Sequence, residues 1–382
     1  MSKLEELIQQ LCPDGVEYKR LGDVLVIKNG RDYKSFKSGN VPVYGSGGIM
    51  AYIDTAVYDK PSVLIPRKGS LEKLYYVDKP FWNVDTIFYT EINTELVCPK
   101  FVYYWLAKQH LERLNKAGGV PSLTQAVLNK VTIPVPPLEI QREIVRILDN
   151  FTELTAELTA ELTARKKQFQ FYHKQFFEFK KSDCIQIVCI KDICELLTGY
   201  PFDSSQFTAT GIHLLRGVNI KRGILDDSES NNRYWNSVQG YEKFLLSTDD
   251  IVIAMDGSLV GKSYAQVKSN HLPSLLVQRV TRVRVTKANA HYIYHYISSG
   301  AFTRYVEKKK TGGAVPHISL KDIANFKIPL PSENMQKEIA DSLDRFDALC
   351  NDLTSGLPAE IAARQKQYEY YRDKLLTFKK RS

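Results

Sequence analysis

One uninterrupted helical pattern, over residues 138–181, limits more than any other feature what this chain can fold into. Alternate steps of four and three residues from Ile144 reach eleven positions, and nine of them are apolar or aromatic. This spacing is typical of a helix that packs along a heptad seam against a second helix. At 1.5 Å per residue the helix would be roughly 66 Å long, which predicts a rod. The seam positions are Ile144, Leu148, Phe151, Thr155, Leu158, Leu162, Arg165, Phe169, Tyr172, Phe176 and Phe179.

An internal repeat supplies the second helix. The segment IPVPPLEIQREI at 133–144 reappears 195 residues later as IPLPSENMQKEI. The segment RKKQFQFY at 165–172 reappears 199 residues later as RQKQYEYY, so the second helical region has gained four residues. This insertion falls near Gly356 and Pro358, where we expect a stutter in the heptad pattern and a kink. The second seam positions are Ile339, Leu343, Phe346, Cys350, Leu353, Leu357, Ile361, Arg364, Tyr368, Tyr371, Leu375 and Phe378.

Weaker similarity joins the segments that precede the two helices. SVLIPRKGS at 62–70 resembles DIVIAMDGS at 250–258, and FVYYWL at 101–106 resembles YIYHYI at 292–297. Short β-branched runs bounded by turn residues alternate with a few helical stretches, which predicts an α+β fold and leaves the strand order open. We therefore predict a pseudo-two-fold repeat whose two long helices pair antiparallel. Its parts are a globular domain at 1–137, a helix at 138–182, a second domain at 183–331 and a second helix at 332–382.

The composition favours a polyanionic partner and disfavours a membrane protein. The formal net charge is +9, and no run of 18 apolar residues is present. The first residues, MSKLEELIQQL, are acidic and amphipathic, unlike a signal peptide, so we expect a cytoplasmic location.

Motifs for catalysis are incomplete. DGSLVGKS at 256–263 ends like a phosphate-binding loop, but Asp256 occupies the position of its first glycine. No glycine-rich cofactor loop accompanied by an Asn/Asp-Pro-Pro-Tyr/Phe motif is visible, which disfavours a self-contained adenine methyltransferase. The spacing of Cys184, Cys189 and Cys194 matches no common zinc pattern, so we expect no metal site.

Two domains that each precede a PxP-x4-Q-x2-I helix resemble the specificity subunits of type I restriction–modification enzymes. The run ELTAELTAELTA at 153–164 also looks like the spacer repeats of some of these subunits. The resemblance implies a non-catalytic subunit in which each domain is a target-recognition domain for one half of an asymmetric, bipartite DNA site. It further implies two modification subunits and restriction subunits as partners. S-adenosylmethionine, ATP and Mg would be bound by those partners, and no cofactor is expected in this chain.

The paired helices are then expected to act as a ruler between the two half-sites. Each ELTA copy adds about 6 Å of length and about 40° of rotation to a helix. One base pair adds about 3.4 Å of rise and roughly 35° of twist. Rotation therefore predicts one base pair of spacer per copy, and length predicts nearly two. The residues expected to set spacing and pairing are Leu148, Phe151, Leu158, Leu162, Phe169, Leu343, Phe346, Leu353, Ile361 and Tyr368.

Candidate DNA contacts are Arg and Lys residues in predicted turns, because phosphates dominate affinity and Arg commonly reads guanine. In the first domain these are Lys28, Arg31, Lys34, Lys37, Arg67, Lys68 and Lys73. In the second they are Arg216, Lys221, Arg222, Arg233, Lys262, Lys268, Lys308, Lys309 and Lys310. Two glycine pairs would let the backbone approach a phosphate, namely Gly118 with Gly119 and Gly312 with Gly313.

Alternatives stay open at this stage. For any single lysine among the candidates, solvated surface is the favoured explanation. Arg279, Arg282 and Arg284 in a strand-like run fit a structural role or a DNA contact. For the whole chain, the alternatives are a coiled-coil scaffold that binds proteins and a stand-alone methyltransferase or nuclease with degenerate motifs.

Overall fold

A computed structural model describes residues 3–115, 121–179, 185–311, 315–352 and 355–381. It divides into two compact units. Unit 1 comprises Met1–Ala160 with Glu360–Ser382, and unit 2 comprises Glu161–Ala359. Each unit therefore combines one globular domain with parts of both helical regions, and the first division falls inside the ELTA run. No helix in the described ranges is long and apolar enough to cross a membrane.

Unit 1 begins with helix α1 (Lys3–Leu11), strand β1 (Glu17–Arg20), helix α2 (Leu21–Val24) and strands β2 (Leu25–Asn29), β3 (Ser38–Gly45), β4 (Gly48–Ile53), β5 (Ser62–Pro66), β6 (Tyr75–Val77), β7 (Trp82–Asn83) and β8 (Ile87–Ile92). Helices α3 (Pro99–Lys108) and α4 (Gln125–Leu128), strand β9 (Thr132–Val135) and the start of helix α5 (Leu138–Gln175) follow.

The described residues of unit 1 form three sheets. The largest has the antiparallel order β2-β8-β5-β6, and every residue of β5 is buried, as expected for a central strand. The second has the order β4-β3-β7, in which β3 and β7 are parallel. A short antiparallel pair, β1-β9, leads into α5. The main core lies between the first sheet, α3 and the start of α5, where Phe101, Ile140 and Ile144 are fully buried.

Unit 2 contains β10 (Gln186–Cys189), α6 (Ile190–Ile193), β11 (Cys194–Thr198), β12 (Ile212–Leu215), β13 (Tyr234–Trp235), β14 (Ile251–Ala254), β15 (Tyr264–Gln266), β16 (Ser274–Leu276), β17 (Val280–Val285), α7 (Ala290–Tyr296), α8 (Phe302–Lys309), α9 (Leu320–Ala324), β18 (Lys327–Leu330) and α10 (Glu333–Asn351). The last helix of the chain is α11 (Leu357–Leu375).

The sheets of unit 2 repeat those of unit 1 strand for strand. Their orders are β11-β17-β14-β15, β13-β12-β16 and β10-β18. The one parallel pairing recurs as well, between β12 and β16. The repeat therefore includes every sheet of the described residues, across domains whose sequences share only short anchors. The α+β class and the internal repeat are confirmed, and the strand order that the sequence left open is the same in both units.

Helix α5 follows the predicted seam. All eleven seam positions are buried or half-buried, whereas Leu154, which lies off the seam, is exposed. The helix itself ends at Gln175, short of the predicted end, so the last two seam positions, Phe176 and Phe179, lie beyond it. In unit 1 the ring of Phe151 stacks on Tyr371 of α11, with centroids 5.4 Å apart. In unit 2 the rings of Tyr172 and Phe346 stack at 5.8 Å. Since Cys350 lies near Arg165 of the same unit, α5 and α10 run antiparallel there, as predicted.

The second helical region differs from its prediction. Instead of one kinked helix over 332–382, the chain forms two helices, α10 and α11, and the second ends at Leu375. Pro358 is the second residue of α11, where its missing N–H costs no hydrogen bond. A Cβ on Gly356 would lie 2.5 Å from the carbonyl oxygen of Ala348, so this tight connection requires glycine. The four extra residues are thus absorbed by a helix break. Leu353 lies outside the described residues.

A close backbone crossing follows the first strand of the main sheet in both units. Gly30 comes directly after β2, and a Cβ placed there would lie 2.0 Å from the carbonyl oxygen of Val84. Gly199 comes directly after β11, and its Cβ would lie 2.2 Å from the carbonyl oxygen of Val277. Only a residue without a side chain fits here, because the neighbouring atoms are backbone atoms of another segment.

We therefore expect Gly30→Ala to lower the free energy of unfolding by about 2 kcal/mol or more, since the methyl group would force two backbone segments apart. Urea denaturation of the full-length protein measures this effect. Gly47→Ala is the matched control, because a Cβ on Gly47 meets no atom within 4 Å. Equal stability of the two variants would contradict the proposed crossing.

Candidate nucleic-acid interface

A buried glutamine fixes the start of each long helix to its globular domain. Gln141 is fully buried, and its Oε1 accepts from the backbone N of Cys98 at 2.7 Å. Its Nε2 donates to the carbonyl oxygens of Leu96 and Pro136 at 2.9 and 2.7 Å. One side chain therefore joins the first turn of α5 to the chain entering α3.

Unit 2 contains the same arrangement. Gln336 is 3% exposed, its Oε1 accepts from the N of Asn289 at 3.0 Å, and its Nε2 donates to Pro331 O at 2.8 Å. Since Asn289 caps α7 as Cys98 caps α3, the two glutamines occupy corresponding positions. They hold the direction in which each helix leaves its domain.

An aspartate two turns further along makes a second connection to α3 or α7. Asp149 accepts from the hydroxyl of Tyr104 at 2.6 Å and from Nζ of Lys100 at 2.7 Å. Asp344, its counterpart in unit 2, accepts from His295 and lies 2.7 Å from His291 Nδ1. In both units the partners are one helical turn apart, so they face the same carboxylate.

The histidine pair of α7 thus serves packing between helices. Burial acts to raise the pKa of Asp344, but the hydrogen bonds from His291 and His295 hold that pKa below its usual range. The hydrogen bond to Asp344 in turn raises the pKa of His291. His173 of α5 lies against His295 and its Nε2 is 3.1 Å from Ser298 Oγ. Burial and the neighbouring His295 lower the pKa of His173 to about 4.

Three loops meet beside the main sheet of unit 1, and we call this place the unit 1 junction. It comprises residues 67–69, 84–86 and 121–123. The backbone N atoms of Arg67 and Lys68 donate to Thr86 O at 2.9 and 3.2 Å. The N of Gly69 donates to Pro121 O at 3.3 Å. Arg67 is half-buried over the ring of Phe88, and Lys68 and Asp85 are exposed, so the unit 1 junction has a formal net charge of +1.

The unit 2 junction has the same backbone and different side chains. It comprises residues 255–257, 277–279 and 316–318. The N of Met255 donates to Arg279 O at 2.9 Å, and the N of Gly257 donates to Pro316 O at 3.1 Å. By this bonding, Arg279 takes the place of Thr86, and Asp256 takes the place of Lys68. Arg279 Nη1 donates to Asp256 Oδ2 at 2.6 Å.

The two predicted basic clusters of the first domain are both bonded through their backbone to the segment 83–86. Arg31, Lys34 and Lys37 lie exposed on the loop between β2 and β3. The N of Arg31 donates to Asn83 O at 2.9 Å. The N of Arg67 donates to Thr86 O, three residues further along the same segment. Further off, Lys73 is exposed in a turn before β6, and Lys28 lies on β2, 3.5 Å from Glu91.

The candidates of the second domain are spread more widely. Lys221, Arg222, Arg233 and Lys268 are exposed in loops. Lys308 and Lys309 are exposed in the last turn of α8, in a helix where a turn was expected, and Lys262 is half-buried in a turn. Lys310 forms an ion pair of 2.7 Å with Glu307. The predicted glycines Gly118, Gly119, Gly312 and Gly313 lie outside the described residues.

Several arginines are held by the protein itself. Arg216 Nη2 donates to Asn231 O at 2.5 Å, and burial lowers the pKa of Arg216. Arg282 is 7% exposed, and Arg284 bonds both oxygens of the buried Asp250 at 2.8 and 2.7 Å. This bonding gives the three a structural role and argues against direct DNA contacts. Arg279, by contrast, has 67% of its side chain exposed.

Sequence reasoning missed the structural side chains, although one signal was present. The same polar residue recurs at two positions of the aligned repeat, as Gln141 with Gln336 and as Asp149 with Asp344. A polar residue that recurs within a helix with an apolar seam indicates a structural role. The Asp256–Arg279 pair joins residues 23 apart in the chain, and no local pattern predicts it. Among the described residues, no group of three His, Cys, Asp or Glu side chains is placed to hold a metal ion.

Comparisons with known proteins agree with this architecture. A family model described as the type I restriction modification DNA specificity domain matches residues 13–165 and 183–363. The EcoR124I/EcoR124II specificity subunit of Escherichia coli is 37% identical over 294 residues, 74% of this chain and 71% of its own length. A putative type I restriction enzyme specificity subunit of Haemophilus influenzae is 26% identical over 381 residues, 95% of this chain and 96% of its own length.

A solved structure shows the same fold. The crystal structure of a type I restriction–modification S subunit from M. genitalium superposes with a TM-score of 0.64 and 14% identity. The match covers 95% of this chain and 96% of that one.

The buried His173 predicts a pH-dependent stability. Because its pKa is near 6.5 in the unfolded chain and about 4 in the fold, the unfolded state binds the proton first as pH falls. Stability is therefore lost between about pH 6.5 and 4, by about 3 kcal/mol from this group. Denaturation of the wild type and His173→Phe at pH 7 and pH 4 isolates the effect, and the variant should lose less. An equal loss in both proteins would contradict it.

Proposed function

We infer how this chain works from the family to which it belongs, the DNA specificity subunits of type I restriction–modification systems. It is the subunit that gives such a system its DNA sequence specificity. We propose that each unit reads one half of an asymmetric, bipartite site. One observation carries this proposal: the two units share every sheet and both helix connections, whereas their junctions present Lys68 and Thr86 in one and Asp256 and Arg279 in the other. One scaffold is thus used twice with different surfaces.

The net charge of +9 supports a duplex DNA partner, because a protein gains affinity from each phosphate that it neutralises. The exposed cations of the β2–β3 loop and the unit 1 junction would supply phosphate contacts in the first half-site. Lys221, Arg222 and Lys268 would do so in the second. Phosphate contacts position the protein, and contacts to base edges give the specificity.

In this proposal the chain performs no chemistry of its own. Two modification subunits would bind beside the two units and transfer methyl groups from S-adenosylmethionine. Restriction subunits would use ATP and Mg, and the assembly would act in the cytoplasm. The repeated helix connections, with Gln141 and Gln336 in corresponding positions, support two equivalent docking surfaces.

The ELTA run would set the spacer between the half-sites. It lies within the uninterrupted α5, and the boundary between the units, at Ala160, falls inside it. Leu158 and Leu162 are half-buried on the seam there. Changing the length of α5 at this place alters the connection between the units and leaves each domain's own residues unchanged.

We expect deletion of residues 157–160 to shorten the non-specific spacer by one or two base pairs, because one helical repeat supplies about 6 Å and 40°. Genome-wide methylation mapping in cells that carry the variant with the modification subunits measures both half-sites and the spacer. Glu157→Gln keeps the helix length and serves as the control. An unchanged spacer in the deletion variant would contradict the ruler.

Exchange of residues 183–331 for the second domain of another family member should change one half of the mapped site and leave the other half intact. The reason is that the side chains of the unit 1 junction are untouched by the exchange. Methylation mapping gives the answer directly. A change in both halves, or a wild-type site that is palindromic, would count against independent readers.

A further inference from the structure

Arg279 stands out among the arginines of unit 2 by its backbone. Its φ is +64°, in the left-handed region that side chains other than glycine seldom adopt. The segment is fixed on both sides, since Met255 N donates to Arg279 O at 2.9 Å and Gln278 N donates to Tyr200 O at 2.9 Å. Non-glycine residues held in this conformation concentrate at ligand-binding places, where the surrounding structure compensates for the strain.

The side chain of Arg279 is both oriented and accessible. Nη1 donates to Asp256 Oδ2 at 2.6 Å, and in the described part of the chain this carboxylate is the acceptor found for the guanidinium. Asp256 is itself fixed through its backbone, which forms an antiparallel β-bridge with His317. The N of the next residue, Gly257, donates to Pro316 O. Asp256 is 21% exposed and Arg279 67% exposed. The carboxylate of Asp256 therefore orients the guanidinium through Nη1, and the other N–H donors of the guanidinium face solvent.

A guanidinium has five N–H donors in a planar fork. After one bond to Asp256, two adjacent donors suit the O6 and N7 acceptors that guanine presents in the major groove. An exposed cation without a holding partner contacts phosphate as readily as a base, so the orientation by Asp256 is what favours a base edge. Orientation before binding also reduces the entropy lost when the contact forms.

The corresponding position in unit 1 carries different chemistry. Thr86 takes the place of Arg279, and its Oγ1 accepts from the N of Ser46 at 3.3 Å. Lys68 takes the place of Asp256, so the charge at that point of the scaffold is reversed. A side chain that differs at a shared scaffold position is where two readers of different half-sites should diverge.

We propose that Arg279, oriented by Asp256, reads a guanine in the half-site bound by unit 2. This inference rests on the proposed function, since it requires that unit 2 contacts base edges. Arg279 is the base-reading residue in it, and Asp256 is a positioning residue.

The test uses the full chain assembled with its modification subunits and duplexes that carry the site defined by methylation mapping. Each guanine of the second half-site is replaced in turn by 7-deazaguanine, which lacks the N7 acceptor. The wild type should lose affinity on the order of 10-fold at one guanine. Arg279→Gly should bind the unmodified site on the order of 10- to 100-fold more weakly and lose nothing further on 7-deazaguanine at that position.

Three variants separate a lost DNA contact from a loss of folding. Glycine adopts a positive φ without strain, so Arg279→Gly should unfold at the wild-type temperature. Arg304→Ala removes an exposed arginine of α8 that is not part of the junction and should keep the guanine pattern of the wild type. Asp256→Ala keeps Arg279 but removes the carboxylate that orients it, so this variant should show a weaker preference for the same guanine.

Failure of the proposed function and failure of the role of Arg279 give different results. A wild-type assembly that binds its mapped site no better than random DNA overturns the proposed function itself. A specific wild type whose Arg279→Gly variant keeps the full response to 7-deazaguanine overturns the role of Arg279 alone. Equal weakening by Arg279→Gly on all sequences indicates a phosphate contact and also overturns it, as does a second half-site without guanine.

Discussion

The buried amide of a single glutamine determines how each long helix leaves its domain. Gln141 and Gln336 satisfy backbone groups of two different segments at once, inside a core where an unpaired N–H or C=O would cost about 1–3 kcal/mol. An apolar side chain of the same size could fill the space, but it would leave those groups without partners. The ruler proposed for these helices would need a fixed origin, and this side chain supplies one in both units.

The aspartates further along the helices show how the same connection tolerates different chemistry. Asp149 is held by a lysine and a tyrosine, Asp344 by two histidines. What the two units share is a carboxylate on the long helix facing two donors one turn apart on α3 or α7. The geometry is retained and the partners vary, because any pair of donors at that spacing satisfies the carboxylate. The junctions follow the same logic: backbone bonds keep the loops in place, so their side chains are free to differ.

Charge alone does not tell which arginines have donors free to bind DNA. The sequence predicts Arg216 as a DNA contact and leaves Arg282 and Arg284 open between a contact and a structural role. In the structure all three bond carbonyl oxygens or a buried carboxylate. Arg279 comes from the same run as Arg282 and Arg284 but lies outside the strand that contains them. It precedes β17 and is therefore exposed, whereas the other two lie within the strand. A sequence shows that an arginine is present, and only its neighbours show whether its donors are already used.

The sequence by itself determined the long helix, its seam, the internal repeat and the α+β class, because helical periodicity and repetition are properties of residues near one another or at a constant offset. The tertiary structure decided what depends on residues far apart. It set the strand order, the break between α10 and α11 where a kink was expected, and the pairing of Asp256 with Arg279. These features arise when separate segments compete for the same space and the same hydrogen-bond partners, and no local pattern records the outcome.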